Sequence, residues 1–263
     1  LGDVYKRQLL SAKRSSGWDV FEAIEITLIL AMLVAFFASG MTAYAGFGGA
    51  LVMVPLFTLM IGPIQAIALT GLCNSIALLH VLPRIISVVQ WKEVVPLFAG
   101  LLIAVSVSAD FIVSADQSLI QMCIGIFVLL AALIMICDLR YRGPRGLIPS
   151  FGIGALTGAI MGGAGVPAGP VMVIYYMAAQ EPPKIQRANI MVSIWLLILI
   201  MLANLFFRDA ITFKTATNAV FIVPVSIIGA FVGEYLFKRA PVAWFKTFAH
   251  GLLLVIGVLM IFI

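Results

Sequence analysis

Apolar runs of membrane-spanning length recur from one end of this chain to the other, and no soluble fold could bury so many of them. They fall at about residues 20–42, 48–61, 64–88, 94–112, 117–137, 147–162, 166–179, 185–206, 216–237 and 242–263. A helix needs roughly 20 apolar residues to cross the hydrocarbon core, whereas a barrel strand alternates over roughly 10. Continuous runs therefore predict an all-α polytopic membrane protein of about ten hydrophobic segments. Only 10% of the residues are charged, far below the share of about 25% in soluble domains, which excludes a soluble globular domain. The net charge of +5 lies in the connections and at the N-terminus. That distribution suits the positive-inside rule and not nucleic-acid binding, so the lipid bilayer is the expected partner.

Two of the runs open on glycines. Residues 46–55 read GFGGALVMVP, and residues 162–170 read GGAGVPAGP. The segments that follow, 48–61 and 166–179, hold about 14 residues and reach only about 21 Å at the helical rise, short of a core of about 30 Å. Each is expected to be one arm of a helical hairpin whose tip stops inside the membrane. Freed backbone groups are tolerated there only where protein buries them or they line a watery cavity. A helix starting after such a break presents unpaired N–H groups and a partial positive charge, which makes an anion site without lysine or arginine. Glycine lets a ligand approach the backbone closely. A simpler role for these glycines is close helix packing. Two breaks at matched positions, each opening a short segment, favour the cavity.

The features also recur in order. The first half runs from a glycine break to Pro63-Ile64-Gln65, then Trp91-Lys92, then a last helix containing Gly125. The second runs from a glycine break to Pro183-Lys184-Ile185-Gln186, then Phe213-Lys214, then a last helix containing Gly251. Five segments per half is an odd number, so the halves are expected to be inverted in the membrane, as in many secondary transporters. Loop charges agree in part. The 110–118 connection carries Asp110 and Asp116 and no basic residue, while its counterpart carries Lys238 and Arg239. Gly62-Pro63 is uncharged, while its counterpart carries Lys184 and Arg187. Against this, Arg84 and Lys92 match Arg208 and Lys214, basic in both halves. Residues 1–18 read as a polar lead-in, of which LGDVYKRQ resembles an assembly remnant. Residues 19–138 form the first repeat, 139–146 a basic loop with Arg140, Arg142 and Arg145 on the cytoplasmic side, and 147–263 the second repeat.

At these residues the sequence resembles the TauE/SafE family of sulfite exporters and related anion permeases. The resemblance rests on Gly46-Phe47-Gly48-Gly49 with Pro55 downstream, on Ala68-Leu69-Thr70, on Trp91-Lys92, and on Gly162-Gly163-Ala164-Gly165-Val166-Pro167. It covers essentially residues 20–263. It implies transport of sulfite, organosulfonates or related small anions across the bacterial cytoplasmic (inner) membrane. The second break departs from the commoner form with consecutive glycines, because Val166 and Ala168 intervene.

The polar residues inside the apolar runs complete the expected site. Thr42 lies beside the first break; Thr70 and Asn74, four apart, share a helix face, as do Asn189 and Ser193. With Gly46, Gly48, Gly49, Gly163 and Gly165 they form the candidate substrate-binding set, with interhelical hydrogen bonding as the alternative for each polar side chain. Arg84 and Arg187 stand near helix ends, where snorkelling or an access path for the anion would use them. His80 shares the Arg84 face, Glu234 is the deepest carboxylate of the second half, and His250 reads as a packing or interfacial residue. Trp18, Trp91 and Trp244 read as interfacial anchors. Cys73, Cys123 and Cys137 have no metal-ligand spacing and read as packing residues without a disulfide.

No nucleophile–base set, phosphate loop or metal cluster is visible, so neither catalysis nor a cofactor is expected; Asp138 and Glu234 have no evident catalytic partner. No carboxylate stands at mid-membrane, which argues against a conventional proton relay. The expected function is export of small oxyanions, sulfite or an organosulfonate, by alternating access. Import of another small anion, or a non-transporting assembly role, is the alternative.

Overall fold

A computed structural model of the chain describes residues 26–44, 46–137, 141–237, 251 and 253–260. The described residues form helices joined by short turns, without strands. Trp18, Asp138, Arg140, Lys238, Arg239, Trp244 and His250, drawn on above, lie outside them. The helices are α1 (Ile26–Tyr44), α2 (Gly49–Ile61), α3 (Pro63–Leu78), α4 (Leu82–Ile85), α5 (Trp91–Ser114), α6 (Gln117–Ile136), α7 (Leu147–Ala164), α8 (Gly169–Met177), α9 (Pro183–Phe207), α10 (Phe213–Phe237) and α11 (253–260). Six of them, α1, α5, α6, α7, α9 and α10, are long and apolar enough to cross a membrane. Val107, Ile148 and Phe207 lie exposed on the outer surface, as suits a lipid-facing wall.

Local chemistry sets most boundaries. Pro63 and Pro183 begin α3 and α9 at the first turn, where a missing N–H costs nothing. Asp116 caps α6 by accepting from the Ser118 N–H at 3.3 Å. One boundary differs from the sequence reading. The single run expected over 64–88 is bent by 59° between α3 and the short helical stretch that follows. Pro83 accounts for it. Pro83 has no N–H for the Leu79 carbonyl, and its ring would clash there, so the helix stops and restarts.

Hydrogen bonds at the helix ends define two sides. Gln65, at the start of α3, donates to Ala210 O at 3.0 Å and accepts from the Thr212 N–H at 3.3 Å, just ahead of α10. His80, just past α3, meets Glu234 near the end of α10. Hence α3 and α10 run side by side in one direction. Asn189, near the start of α9, accepts from the Gln90 N–H at 2.9 Å just ahead of α5, and Arg208 after α9 pairs with Asp110 near the end of α5. So α5 and α9 also run together, opposite to α3 and α10. The bundle thus has a Gln90 side and a Thr212 side.

The outer helices pack through glycines. A Cβ on Gly154 would overlap the Leu97 carbonyl, one on Gly158 would press on Leu101, and one on Gly162 would meet Ser108 and Val105. This parallel register lets α7 lie almost backbone to backbone along α5. A Cβ on Gly229 would overlap the Phe36 carbonyl, and one on Gly233 the Gly40 carbonyl, so α1 lies along α10 in the same way. Without a hydrophobic force between helices in lipid, such close van der Waals contact holds them together. By these registers α1 rises towards the Gln90 side and α2 returns. Likewise α7 rises towards the Thr212 side and α8 returns, with its Tyr175 hydroxyl 2.8 Å from Ser150 Oγ at the start of α7. The two hairpins therefore point in opposite directions. Helix α9 is the most buried of the six long helices, with 56% of its 18-residue apolar stretch buried against 33–39% in the others, so it stands at the middle of the bundle.

Candidate functional site

The two glycine breaks, far apart in sequence, open on one cavity. Its walls include Phe47, Gly48 and Ala50 from the first break and Pro167, Gly169 and Pro170 from the second. Thr42, Thr70, Gly71 and Asn74 add the α1 and α3 side, while Ile194, Leu197, Ile198, Met201 and Leu202 of α9 make an apolar wall. The space open to the centre of a water-sized sphere is ≈ 50 Å³. One water needs about 10–15 Å³ on that measure, so a few waters or one small oxyanion fit.

The first break is built for a helix start. Gly46 and Gly48 have φ of 88° and 103°, left-handed values that glycine adopts without cost. Gly48 caps α2 without any side-chain hydrogen bond from the cap. Instead Thr42 Oγ1 accepts from the Gly49 N–H at 3.1 Å, reaching across from α1. A Cβ on Gly49 would overlap that same hydroxyl and the Ala38 carbonyl, so Gly49 permits the close approach. Thr42 Oγ1 also stands 3.4 Å from Asn74 Oδ1. Asn74 donates its amide to Thr70 O at 3.1 Å and lies 3.6 Å from Met53 Sδ. Thr70 Oγ1 is buried with no hydrogen-bond partner.

The second break mirrors this with different parts. Gly165 ends α7 at φ 66°, tucked against Ile112 and Ile67. The chain then turns inwards, and α8 starts at Gly169 with Pro170 in its first turn and no side-chain cap. Residues at two helix N-termini, Gly48 and Ala50 of α2 and Gly169 and Pro170 of α8, therefore line the same space, where the partial positive charges of the two helices add.

Of the expected binding residues, Thr42, Gly48, Thr70 and Asn74 line the cavity. Gly46 lies at the first tip beside the Arg187 side chain, and Gly163 lies in the last turn of α7 near Ser108. Gly49 and Gly165 shape the breaks. Asn189 instead engages Gln90 through both ends of its amide, at 2.9 and 3.4 Å. Ser193 Oγ lies 2.9 Å from the Tyr176 hydroxyl. The second polar pair thus braces α9 against its neighbours and does not line the cavity. Pro167, Gly169 and Pro170 stand within the quoted second break, but their part in the lining needed the fold. The α9 wall carries no signal that marks it off from any other apolar face.

The charged candidates sit outside the cavity. Arg187 Nη2 donates to Ala43 O at 2.6 Å, bracing the end of α1. Arg84 Nη1 lies 2.7 Å from Glu234 Oε1, and His80 Nε2 lies 3.2 Å from Glu234 Oε2. On the same side, Arg145 grips Glu93 at 2.6 Å, donates to Tyr175 O at 2.6 Å and lies 4.4 Å over the Tyr175 ring. That contact ties the end of α8 to α5 and to the start of α7. Among the described residues no group of His, Cys, Asp and Glu could hold a metal, and the three cysteines are free.

One comparison with known proteins bears on identity. The family model described as Sulfite exporter TauE/SafE matches residues 31–260. The match spans both hairpins and most of the chain, so the protein belongs to the sulfite exporter TauE/SafE family, a family of membrane transporters. Neither a curated protein nor a solved structure matches the chain.

Proposed function

We propose that this family member carries small oxyanions, sulfite or an organosulfonate, out of the cell by alternating access around the cavity between its two hairpins. The observation that carries this reading is the convergence of the α2 and α8 N-termini on one cavity that also holds Thr42, Thr70 and Asn74. Anions are favoured at helix N-termini by the exposed N–H groups and the dipole together. In a space walled by apolar α9 those dipoles act in a low dielectric and are screened little. The buried Thr70 hydroxyl, which has no hydrogen-bond partner within the protein, is a donor a bound oxyanion could satisfy. No full positive charge lines the cavity, which would leave binding weak enough to release the anion on the far side.

The reading extends to the halves. Residues 19–138 and 147–263 act as inverted repeats joined by the 139–146 loop. The opposed hairpins support this, as does the exchange of partners: α5 packs along α7, and α1 along α10. The Gln90 side gathers Arg84, Lys92, Arg142, Arg145, Lys184 and Arg187, whereas the Thr212 side holds Arg208 and Lys214 among the described residues. Under the positive-inside rule the Gln90 side faces the cytoplasm of an inner membrane. It also separates Arg84 and Lys92 from Arg208 and Lys214, as inversion requires.

Purified protein in liposomes, followed for sulfite flux under a clamped membrane potential with sulfate and simple sulfonates as competitors, tests the proposal. Saturable sulfite flux that sulfonates block is expected. Folded protein that moves none of these anions would overturn it.

A further inference from the structure

Two ion pairs at opposite ends of the bundle are related in a way the proposed transport does not by itself require. Arg84 and Arg208 are 124 residues apart, and so are Asp110 and Glu234. Each arginine pairs with the other's carboxylate counterpart: Arg84 with Glu234 at 2.7 Å, and Arg208 with Asp110 at 2.6 Å. The first half thus lends an arginine to the second half's carboxylate, and the second half returns the arrangement.

We infer that these pairs are the two gate latches of the transport cycle, one on each side of the cavity; the inference rests on the alternating-access reading above. The pairs sit on opposite sides. Gln65 at the start of α3 bonds Ala210 and Thr212, just past Arg208, whereas His80 past its end bonds Glu234. The 16 residues of α3 separate the two by about 24 Å of helix. Both arginines follow helices that wall the cavity. Arg84 follows α3, which supplies Thr70 and Asn74, and Arg208 follows α9, which supplies Ile194 and Leu197. Each carboxylate belongs to an outer helix of the other half, α10 or α5. A latch therefore ties a cavity wall to the opposite half, which is the contact that must part for that side to open.

Exposure fits a reversible lock. Arg84 is 62% exposed and Asp110 79%, while their partners Glu234 and Arg208 are 17% and 22% exposed. Each pair joins one water-facing side chain to one largely buried one, and when it parts the buried member keeps a second partner, Glu234 with His80 and Arg208 with Asn204. Both are closed in this structure. The two differ in backing. The Gln90-side latch includes His80, which stacks 4.3 Å from Phe231, and it sits at the Pro83 break, where the chain can hinge. The Thr212-side latch is braced by Asn204 Oδ1 at 2.7 Å from Arg208 Nη1, on an unbroken α9.

The test is sided access to the cavity. Ile194→Cys, in a chain with Cys73→Ala, Cys123→Ala and Cys137→Ala, is labelled with a membrane-impermeant methanethiosulfonate reagent from either side of oriented vesicles. Glu234→Gln is expected to raise labelling from the Gln90 side at least 5-fold and to lower it from the Thr212 side. Asp110→Asn is expected to do the reverse. The swapped pair Arg208→Asp with Asp110→Arg is expected to restore the starting ratio, which separates a latch from a folding defect. Labelling that changes in the same direction in both single variants, or in neither, or a swapped pair that fails to restore the ratio, would overturn the latches. Sulfite flux through the parent chain is measured beside it. Reciprocal labelling without flux would sink the transport reading and leave two gates, whereas flux without reciprocity would sink the latches alone.

Discussion

At the scale of single residues, the polar side chains of the apolar runs divide by their partners. Thr70 has a buried hydroxyl with no hydrogen bond, an arrangement costing roughly 1–3 kcal/mol. Thr70→Val should therefore leave thermal stability equal or higher, because the substitution is nearly isosteric and removes that cost. Hydrogen bonds to charged groups are worth about 1.5–3 kcal/mol, so sulfite affinity should fall by roughly 10- to 100-fold. Thermal unfolding and flux measured on the same preparation check both halves of that statement. Ser193→Ala should behave the opposite way. It removes the bond to the Tyr176 hydroxyl, should lower stability by about 1 kcal/mol, and should leave the concentration for half-maximal flux unchanged. The sequence shows all of these side chains equally, since helical spacing tells which residues share a face. It does not tell which neighbour that face meets. Thr70 and Asn74 face the cavity, while Asn189 and Ser193 meet Gln90 and Tyr176.

At the scale of helices, backbone contact and proline chemistry carry the argument. Gly229 and Gly154 sit where any Cβ would overlap a carbonyl of the facing helix. Gly229→Leu should force α10 away from α1 and sharply reduce recovery of folded protein, beyond the roughly 1–3 kcal/mol of ordinary overpacking. Gly152→Ala, with open space around it, should be neutral, and recovery of monodisperse protein from detergent reports the contrast. The bend after α3 makes a second case. Pro83→Ala would give the Leu79 carbonyl its missing donor. The distance between spin labels at the exposed positions Ile76 and Ile86 should then lengthen towards the straight-helix value of about 15 Å for ten residues. An unchanged distance would mean that packing against α10, and not Pro83, holds the bend. That break was written in the sequence at Pro83, but the apolar run across 64–88 masks it, because hydropathy counts surface and ignores a lost hydrogen bond.

At the scale of the whole molecule, the cavity lacks any charged side chain in its lining, so the anion's own charge is what the membrane field acts on. A monovalent anion leaving a negative-inside compartment gains about 2.3 kcal/mol per 100 mV, or roughly 50-fold in its equilibrium gradient. Reconstituted protein should therefore build an outward sulfite gradient when potential alone is imposed. Flux indifferent to potential yet strictly dependent on a proton or sodium gradient would show that a coupling ion carries the energy instead.

The apolar runs alone determined that the chain is helical and lives in a bilayer, because lipid permits few other solutions for buried backbone. The two glycine breaks were also plain, since glycine clusters and short segments leave a local mark. Only the tertiary structure decided that the breaks share one cavity, that α9 forms its wall, and that Arg84 and Arg208 exchange partners across the halves. Those facts depend on contacts between residues more than 90 positions apart. Periodicity records the face a residue occupies, but which faces meet is settled only when the helices pack.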